Sequence, residues 1–449
     1  MEQVLRPNLT EYRRVGNMPV FLLLLFFIPE VTIRMHTFIS VGGVPLAFAE
    51  PIFFLSFALL ILDKWDLNKV FASSFSKYYF IFLAFGIWNL TMSVKYYHNG
   101  IGFAGSVFLN VFVYPLSFFL GYHYITEQKH LKNYLTMTRI IFFLYIPLTF
   151  IYHQLGVGEK APYLQFFDHY EGWVVSFLIY FALSNYFIYK KVSWFDKFLA
   201  FGSAIMIILC NRRGIWISTF LTCFIIYYVS VRQISFGYIA RILLWVGLGI
   251  GTYVLIVKVA PNNPVVEAVN SRVIQTIENF QNPTEFGDNS IAWRLLVVQA
   301  SFKDFTEHPI LGRGIGYQPT VVFPKGTDLW NEREGVAFHD IVIALLVTTG
   351  VLGLIMFFIM HLKFIFRFLI EKNEIKGEIK PYVASMFGMY AGALMWAFVA
   401  NDMWSNANLV IIIYTLRGAV VKQLDKAIEE KKKLTVAEDA PQNLKLQAV

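Results

Sequence analysis

The chain reads as an all-α polytopic membrane protein of about twelve transmembrane helices, with a large polar loop between helices 9 and 10. Three observations predict this. Only 15% of the 449 residues are charged, and 57% are hydrophobic; soluble domains carry roughly 25% charged residues. Apolar runs long enough to cross a bilayer recur along the sequence. The lysines and arginines fall in alternate connecting segments, which is the charge bias of a multi-pass protein.

Taken in order, the apolar runs place spans near 18–38, 46–62, 78–97, 103–125, 134–154, 172–190, 194–211, 213–230, 238–258, 339–369, 381–400 and 405–420. Pro29, Pro115 and Pro147 fall inside these spans, where neighbouring helices can satisfy the freed backbone groups. The domain reading is a transmembrane unit over residues 1–421, with the long polar insertion at 259–338. A charged tail covers 422–449, beginning as an amphipathic helix and fraying into disorder. No internal repeat with a clear period is present, which argues against an inverted-repeat transporter.

One set of loops carries Arg13 and Arg14, then Lys64, Lys69 and Lys77, then Lys129 and Lys132. It continues with Lys190, Lys191 and Lys197, Arg232 and Arg241, and Lys372, Lys376 and Lys380. These share one side, the cytoplasm by the positive-inside rule. The opposite loops, Ser40–Ala49, Tyr97–Gly102 and Asn401–Asn406, are nearly free of Lys and Arg. An even helix count puts both termini in the cytoplasm and 259–338 outside, in the periplasm if the cell is Gram-negative. The formal charge of +8 therefore belongs to membrane topology, and no basic-aromatic pattern calls for nucleic acid. Arg6, Arg13 and Arg14 precede the first apolar run like a signal peptide, and the late position of Ala47-Phe48-Ala49 favours a retained signal-anchor. Cys210 and Cys223 sit on successive helices at different depths, a poor geometry for a bridge.

Several residues break the pattern. Arg212 and Arg213 stand in a short outer turn between two apolar helices, where positive charge is disfavoured. They either bind an anion, since guanidinium forks match phosphate oxygens, or snorkel to lipid headgroups. Arg294 lies in Ile291-Ala292-Trp293-Arg294-Leu295-Leu296-Val297, which has the pattern of an amphipathic helix at the membrane surface. The run His308-Pro309-Ile310-Leu311-Gly312-Arg313-Gly314-Ile315-Gly316 lacks the strand-turn-helix context of a dinucleotide loop. Its glycines point to a tight turn needing positive φ or close backbone packing. His339 and Asp340 open the next helix. A histidine there can accept a proton or merely end a loop, and the aspartate can cap the helix. Glu30 with Arg34 suggests a one-turn pair. Asp168, His169 and Glu171, and Asp402, are weaker outer-side candidates.

The order of these features is more specific than any one of them. Arg213-Gly214 opens a helix, Arg294 starts an amphipathic segment, and His308-Pro309 runs into Gly312, Gly314 and Gly316. His339-Asp340 then precedes a helix bearing Gly350-Val351-Leu352-Gly353. Around one large outer loop between late helices, this resembles the O-antigen ligase and O-antigen polymerase (Wzy-type) superfamily, most closely over residues 200–370. The resemblance implies a GT-C-like, metal-independent, inverting membrane glycosyltransferase with no cofactor. Its members take a glycan from undecaprenyl diphosphate. A polymerase passes the growing chain to a lipid-linked repeat unit, and a ligase passes it to lipid A core. The carry-over assigns catalysis to Arg213, Arg294 and His339, with Arg212 as fallback. Arg212, Arg313 and Asp340 become contacts to diphosphate or glycan. A chain-length regulator and a flippase are the implied protein partners, besides the membrane lipids. Many members carry Asn where this chain has Asp340. The first outer loop, Ser40–Glu50, offers a single carboxylate, Glu50, which favours a cationic rather than a paired-carboxylate metal mechanism. A flippase or transporter of lipid-linked sugars is the rival class, and it predicts charges deep in the spans.

Overall fold

The computed structural model describes residues 39–41, 44–46, 49–64, 66–154, 169–210, 213–231, 290–321, 338, 340–398 and 407–446, with scattered positions between 247 and 278. Among the described residues the structure is helical apart from one small hairpin. Strand β1 (Ile39–Val41) pairs antiparallel with β2 (Val44–Leu46), Val41 opposite Val44. This departs from the all-α expectation. Gly42-Gly43 separates two short β-branched runs there, the sequence pattern of a two-residue hairpin.

The helices are α1 (Ala49–Lys64), α2 (Ser76–Tyr96), α3 (Ile101–Tyr124) and α4 (Gln128–Gln154). Then come α5 (His169–Tyr189), α6 (Trp194–Leu209), α7 (Arg213–Ser230) and α8 (Ser290–Glu307). Last are α9 (Ile341–Glu371), α10 (Lys380–Ala397) and α11 (Ala407–Leu446). The expected spans at 18–38 and, for the most part, 238–258 lie outside the described residues, as do Glu30, Arg34, Asp168 and Asp402. Among the described residues, four stretches are long and apolar enough to cross a membrane: Ile101–Tyr124, Gly172–Tyr189, Ile341–Glu371 and Ala407–Leu434. Gly214–Ser230 is apolar but shorter.

Proline explains the irregularity of α3. Pro115 cannot donate a backbone hydrogen bond, so the helix widens to a π turn at Leu109–Val113 and tightens to a 3-10 turn at Tyr114–Leu116. The core is centred on α11, whose residues from Leu409 to Leu416 are all at most 6% exposed. It crosses the end of α3 where Gly121 and Gly418 face the partner backbone. A Cβ on Gly121 would meet the Thr415 carbonyl oxygen, and one on Gly418 the Phe118 carbonyl oxygen. Small residues let membrane helices approach this closely, and polar contacts add to the grip. Ser117 Oγ donates to the Ile411 carbonyl at 2.8 Å. Cys210 and Cys223 are free thiols, as their separation in depth predicts.

The lysine-bearing loops gather at one end of the bundle. Gln128 and Lys132 reach Glu378 at 2.6 and 3.3 Å. Tyr189 donates to the Gly377 carbonyl at 2.6 Å, and Lys372 to that of Tyr228 at 2.7 Å. Lys426 donates to Thr126 O at 2.8 Å, and Lys431 pairs with Glu374 at 2.7 Å. The tail thus continues α11 and touches this end through Lys426 and Lys431.

The expectation that charges avoid the bundle interior fails at Arg417, which is 0% exposed. Five rings surround its guanidinium: Phe75, Tyr79, Phe364, Tyr390 and Tyr414, at 5.0 to 5.7 Å. Such a cage offsets desolvation through the negative faces of the rings. Nη2 donates to the Met360 carbonyl at 2.6 Å, while Nε and Nη1 are buried without a hydrogen-bond partner. Neighbouring His361 bonds the hydroxyls of both Tyr390 and Tyr414. Arg417→Ala is expected to destabilise the protein by about 3 kcal/mol through the void it leaves among the rings. Arg417→Met fills that volume, removes two unsatisfied donors, and costs less than about 1.5 kcal/mol. Thermal unfolding in detergent measures the difference. Equal losses in the two variants would mean that charge, not volume, holds the cage together.

Candidate functional site

Opposite the lysine-rich end, α9 is broken near its start. Gly350 has φ 68° and ψ −172°, a conformation that interrupts the helix and is essentially restricted to glycine. A break orphans carbonyls below it and N–H groups above it. The His308–Gly316 loop supplies partners for both. Arg313 N donates to Val347 O at 2.7 Å and Gly314 N to Thr348 O at 2.9 Å. In return Val351 N donates to Pro309 O at 2.9 Å and Leu352 N to Ile310 O at 3.3 Å. The loop fits because Gly312, Gly314 and Gly316 all take positive φ, as the turn reading requires. A Cβ on Gly312 would fall 2.5 Å from the Thr348 carbonyl carbon.

Helix α2 brackets the loop from the other side. Asn89, 1% exposed, accepts from Ile315 N at 2.9 Å. Its Nδ2 donates to Leu311 O at 3.3 Å and to Thr348 O at 3.5 Å. Ser93 Oγ donates to Ile315 O. Asn99, in the short connection after α2, donates to Ser93 Oγ at 2.9 Å and to Arg313 O at 3.2 Å. The Tyr97–Gly102 loop and the glycine motif therefore lie at the same end, as the charge alternation predicts for two outer segments.

The Arg313 side chain turns toward α8. It pairs with Glu307 and, at 3.6 Å, with Asp304, and lies over the Tyr317 ring at 5.6 Å. Burial, and the Asp304 carboxylate beside it, push the Tyr317 hydroxyl up to about 12, so it stays protonated. Two carboxylates against one guanidinium leave this corner with no net attraction for a phosphate. Arg313 is tied into the structure as the clasp between the glycine loop and α8.

Helix α8 packs on the first turns of α9. Val297 joins Val321, Phe338, Ala344 and Val347 in a small apolar cluster separate from the main core. Arg294 is half-buried and one turn before Val297, so both lie on one helical face. That face meets the segment running through Phe338 and Asp340 into α9. Asp340 caps α9: its Oδ1 accepts from Val342 N at 2.7 Å and Ile343 N at 3.1 Å. Its Oδ1 is therefore engaged by the helix end.

The sequence-predicted residues divide accordingly. Arg294, Arg313 and Asp340 are described, and the α8–α9 packing brings the elements carrying them together. Arg213 is the first residue of α7, but its side chain, like Arg212 and His339 as a whole, lies outside the described residues. Helix α7 packs on α5 and α10. Glu50, the lone carboxylate of the first outer loop, is 5% exposed and accepts from the Tyr114 hydroxyl at 2.8 Å. Sequence reasoning passed over Asn89, Ser93 and Asn99. The available signal was a lone amide inside an apolar run, Ile87-Trp88-Asn89-Leu90, since buried polar groups in spans need partners.

No curated protein matches the chain. Residues 198–358 match the family model described as O-antigen ligase. That stretch begins in α6 and ends past the break in α9. It contains Arg213, Arg294, the glycine loop and His339-Asp340, and the match supports the resemblance to the superfamily of O-antigen ligases and polymerases.

Proposed function

We propose that the chain transfers a glycan from undecaprenyl diphosphate to an acceptor sugar at the outer face of the inner membrane, as a polysaccharide polymerase. The observation that carries this is the family match over residues 198–358, because it spans all three residues assigned to the chemistry. The lysine-rich end of the bundle is then cytoplasmic, and the glycine loop, α8 and the start of α9 face outward. The departing group is a lipid diphosphate, which concentrates negative charge. Arg294 and Arg213 stabilise that charge as it develops, in a low-dielectric setting where such contacts count for more than in water. His339, next to the capped end of α9, takes the proton from the acceptor hydroxyl. Direct displacement inverts the anomeric carbon. Arg313 and Asp340 act one step away, by fixing the loop and the helix end.

Ligation to lipid A core is the second reading, and the description of the matched family favours it. The two differ in acceptor, not in the first half of the reaction. Purified protein given lipid-linked repeat units, with and without lipid A core, separates them. Lengthening on repeat units alone supports polymerase, and transfer only when core is present supports ligase. No conversion with either would overturn the enzyme reading. In cells, repeat units trapped at the cytoplasmic face of a deletion strain would point to a flippase instead. Arg417, the charge such a transporter would need at depth, is closed in by aromatic rings rather than lining a passage.

A further inference from the structure

At the lysine-rich end, a cavity of about 400 Å³ opens between α4, α5, the α5–α6 turn and the start of α10. No residue of the glycine loop, α8 or α9 lines it, so the chemistry above makes no use of it. Its walls carry Lys132, Arg139 and Lys191 against one carboxylate, Asp196. That carboxylate is already spoken for: Oδ1 accepts from Arg139 Nη2 at 2.5 Å and Oδ2 from Ser193 Oγ at 2.7 Å. Arg139 Nε is buried without a hydrogen-bond partner. Lys132 reaches outward to exposed Glu378 at 3.3 Å. Lys191 has no carboxylate within ion-pair distance among the described residues. The turn that presents it runs through Lys190, held at φ 56°, a conformation unfavourable for a lysine. Asn185 adds an amide, and Tyr382 a ring and a hydroxyl.

We infer that this cavity binds a phosphate-bearing anionic group, in the first place the headgroup of an anionic phospholipid. With Arg139 paired to Asp196 and Lys132 to exposed Glu378, Lys191 leaves one net positive charge in a recess of ligand size. The surroundings point to a lipid as the source. Trp194, Phe198, Phe201, Ile205 and Ile208 are exposed and spaced as one face of α6, the helix that also carries Asp196. That stripe provides a surface for acyl chains next to a polar recess for the headgroup. Juxtamembrane lysines strengthen such binding through the negative potential of an anionic leaflet.

The full-length protein in mild detergent is titrated with dioctanoyl phosphatidylglycerol, with the phosphatidylcholine analogue and with inorganic phosphate. Binding is read by native mass spectrometry and thermal shift. Phosphatidylglycerol is expected to bind, and the double variant Lys132→Gln/Lys191→Gln to bind it about thirtyfold more weakly. Both lysines are exposed, so the unliganded variant should melt with the wild type. Competition by inorganic phosphate identifies a soluble phosphate ester as the ligand, and its absence identifies the lipid; either outcome supports the site. Wild-type protein that binds neither probe, or a variant that binds as tightly as wild type, would overturn it. The readout is binding, so failure of glycan transfer leaves this inference standing, and the reverse also holds.

Discussion

Arg294→Ala is expected to lower glycan transfer by about 100- to 1000-fold, the loss typical of removing one preorganised charge-stabilising group. The protein should still fold. The apolar contact of α8 with α9 is made by Val297 and its cluster, one turn further on. Arg294→Lys keeps the charge but loses the planar fork that grips two phosphate oxygens, so it should recover only part of the rate. Arg213→Ala and His339→Ala should show losses of similar size. The double variants should fall by less than the product of the single losses, because the groups act on one transition state. Rates are measured on purified protein with lipid-linked substrate, and polymer is scored in a deletion strain. Full polymer length from Arg294→Ala would remove this arginine from the chemistry.

Gly350→Ala is expected to cost about 3 kcal/mol or more. Two effects add. The backbone at φ 68° and ψ −172° is hostile to any side chain, and the new Cβ would lie 2.2 Å from the Ile310 carbonyl oxygen. Relaxing either one pulls the loop off the helix and exposes the orphaned groups on both. Gly100→Ala is the matched control, with nothing within 4 Å of the added carbon, and should be close to neutral. Heated size-exclusion chromatography compares the two. If Gly350→Ala survives heating as well as Gly100→Ala, the loop is not what holds the break.

The helices were legible because burial in lipid demands long apolar runs, and such runs survive any detail of packing. The alternation of lysines was legible for the same reason, and the contacts of Lys132, Lys372 and Lys426 at one end bear it out. The turn character of Gly312–Gly316 could be read from composition. Its partner could not, because a backbone dock leaves no mark on side-chain pattern: nothing in Gly350-Val351-Leu352-Gly353 announces that Pro309 and Ile310 complete its hydrogen bonds. Arg313 and Asp340 show the opposite difficulty. Their residue types suit an anion or a sugar, yet local neighbours six residues or fewer away, Glu307 and the α9 amides, claim them first. Arg417 was hidden by the run of apolar residues around it, which described the helix correctly and the buried cation within it not at all.

The joint between the glycine loop and α9 is written almost wholly in peptide groups. Such a joint is indifferent to what hangs from its exposed positions, so Ile310 and Leu311 can drift in chemistry without unfastening it. The same frame can thus carry new side chains to the surface while its architecture holds still.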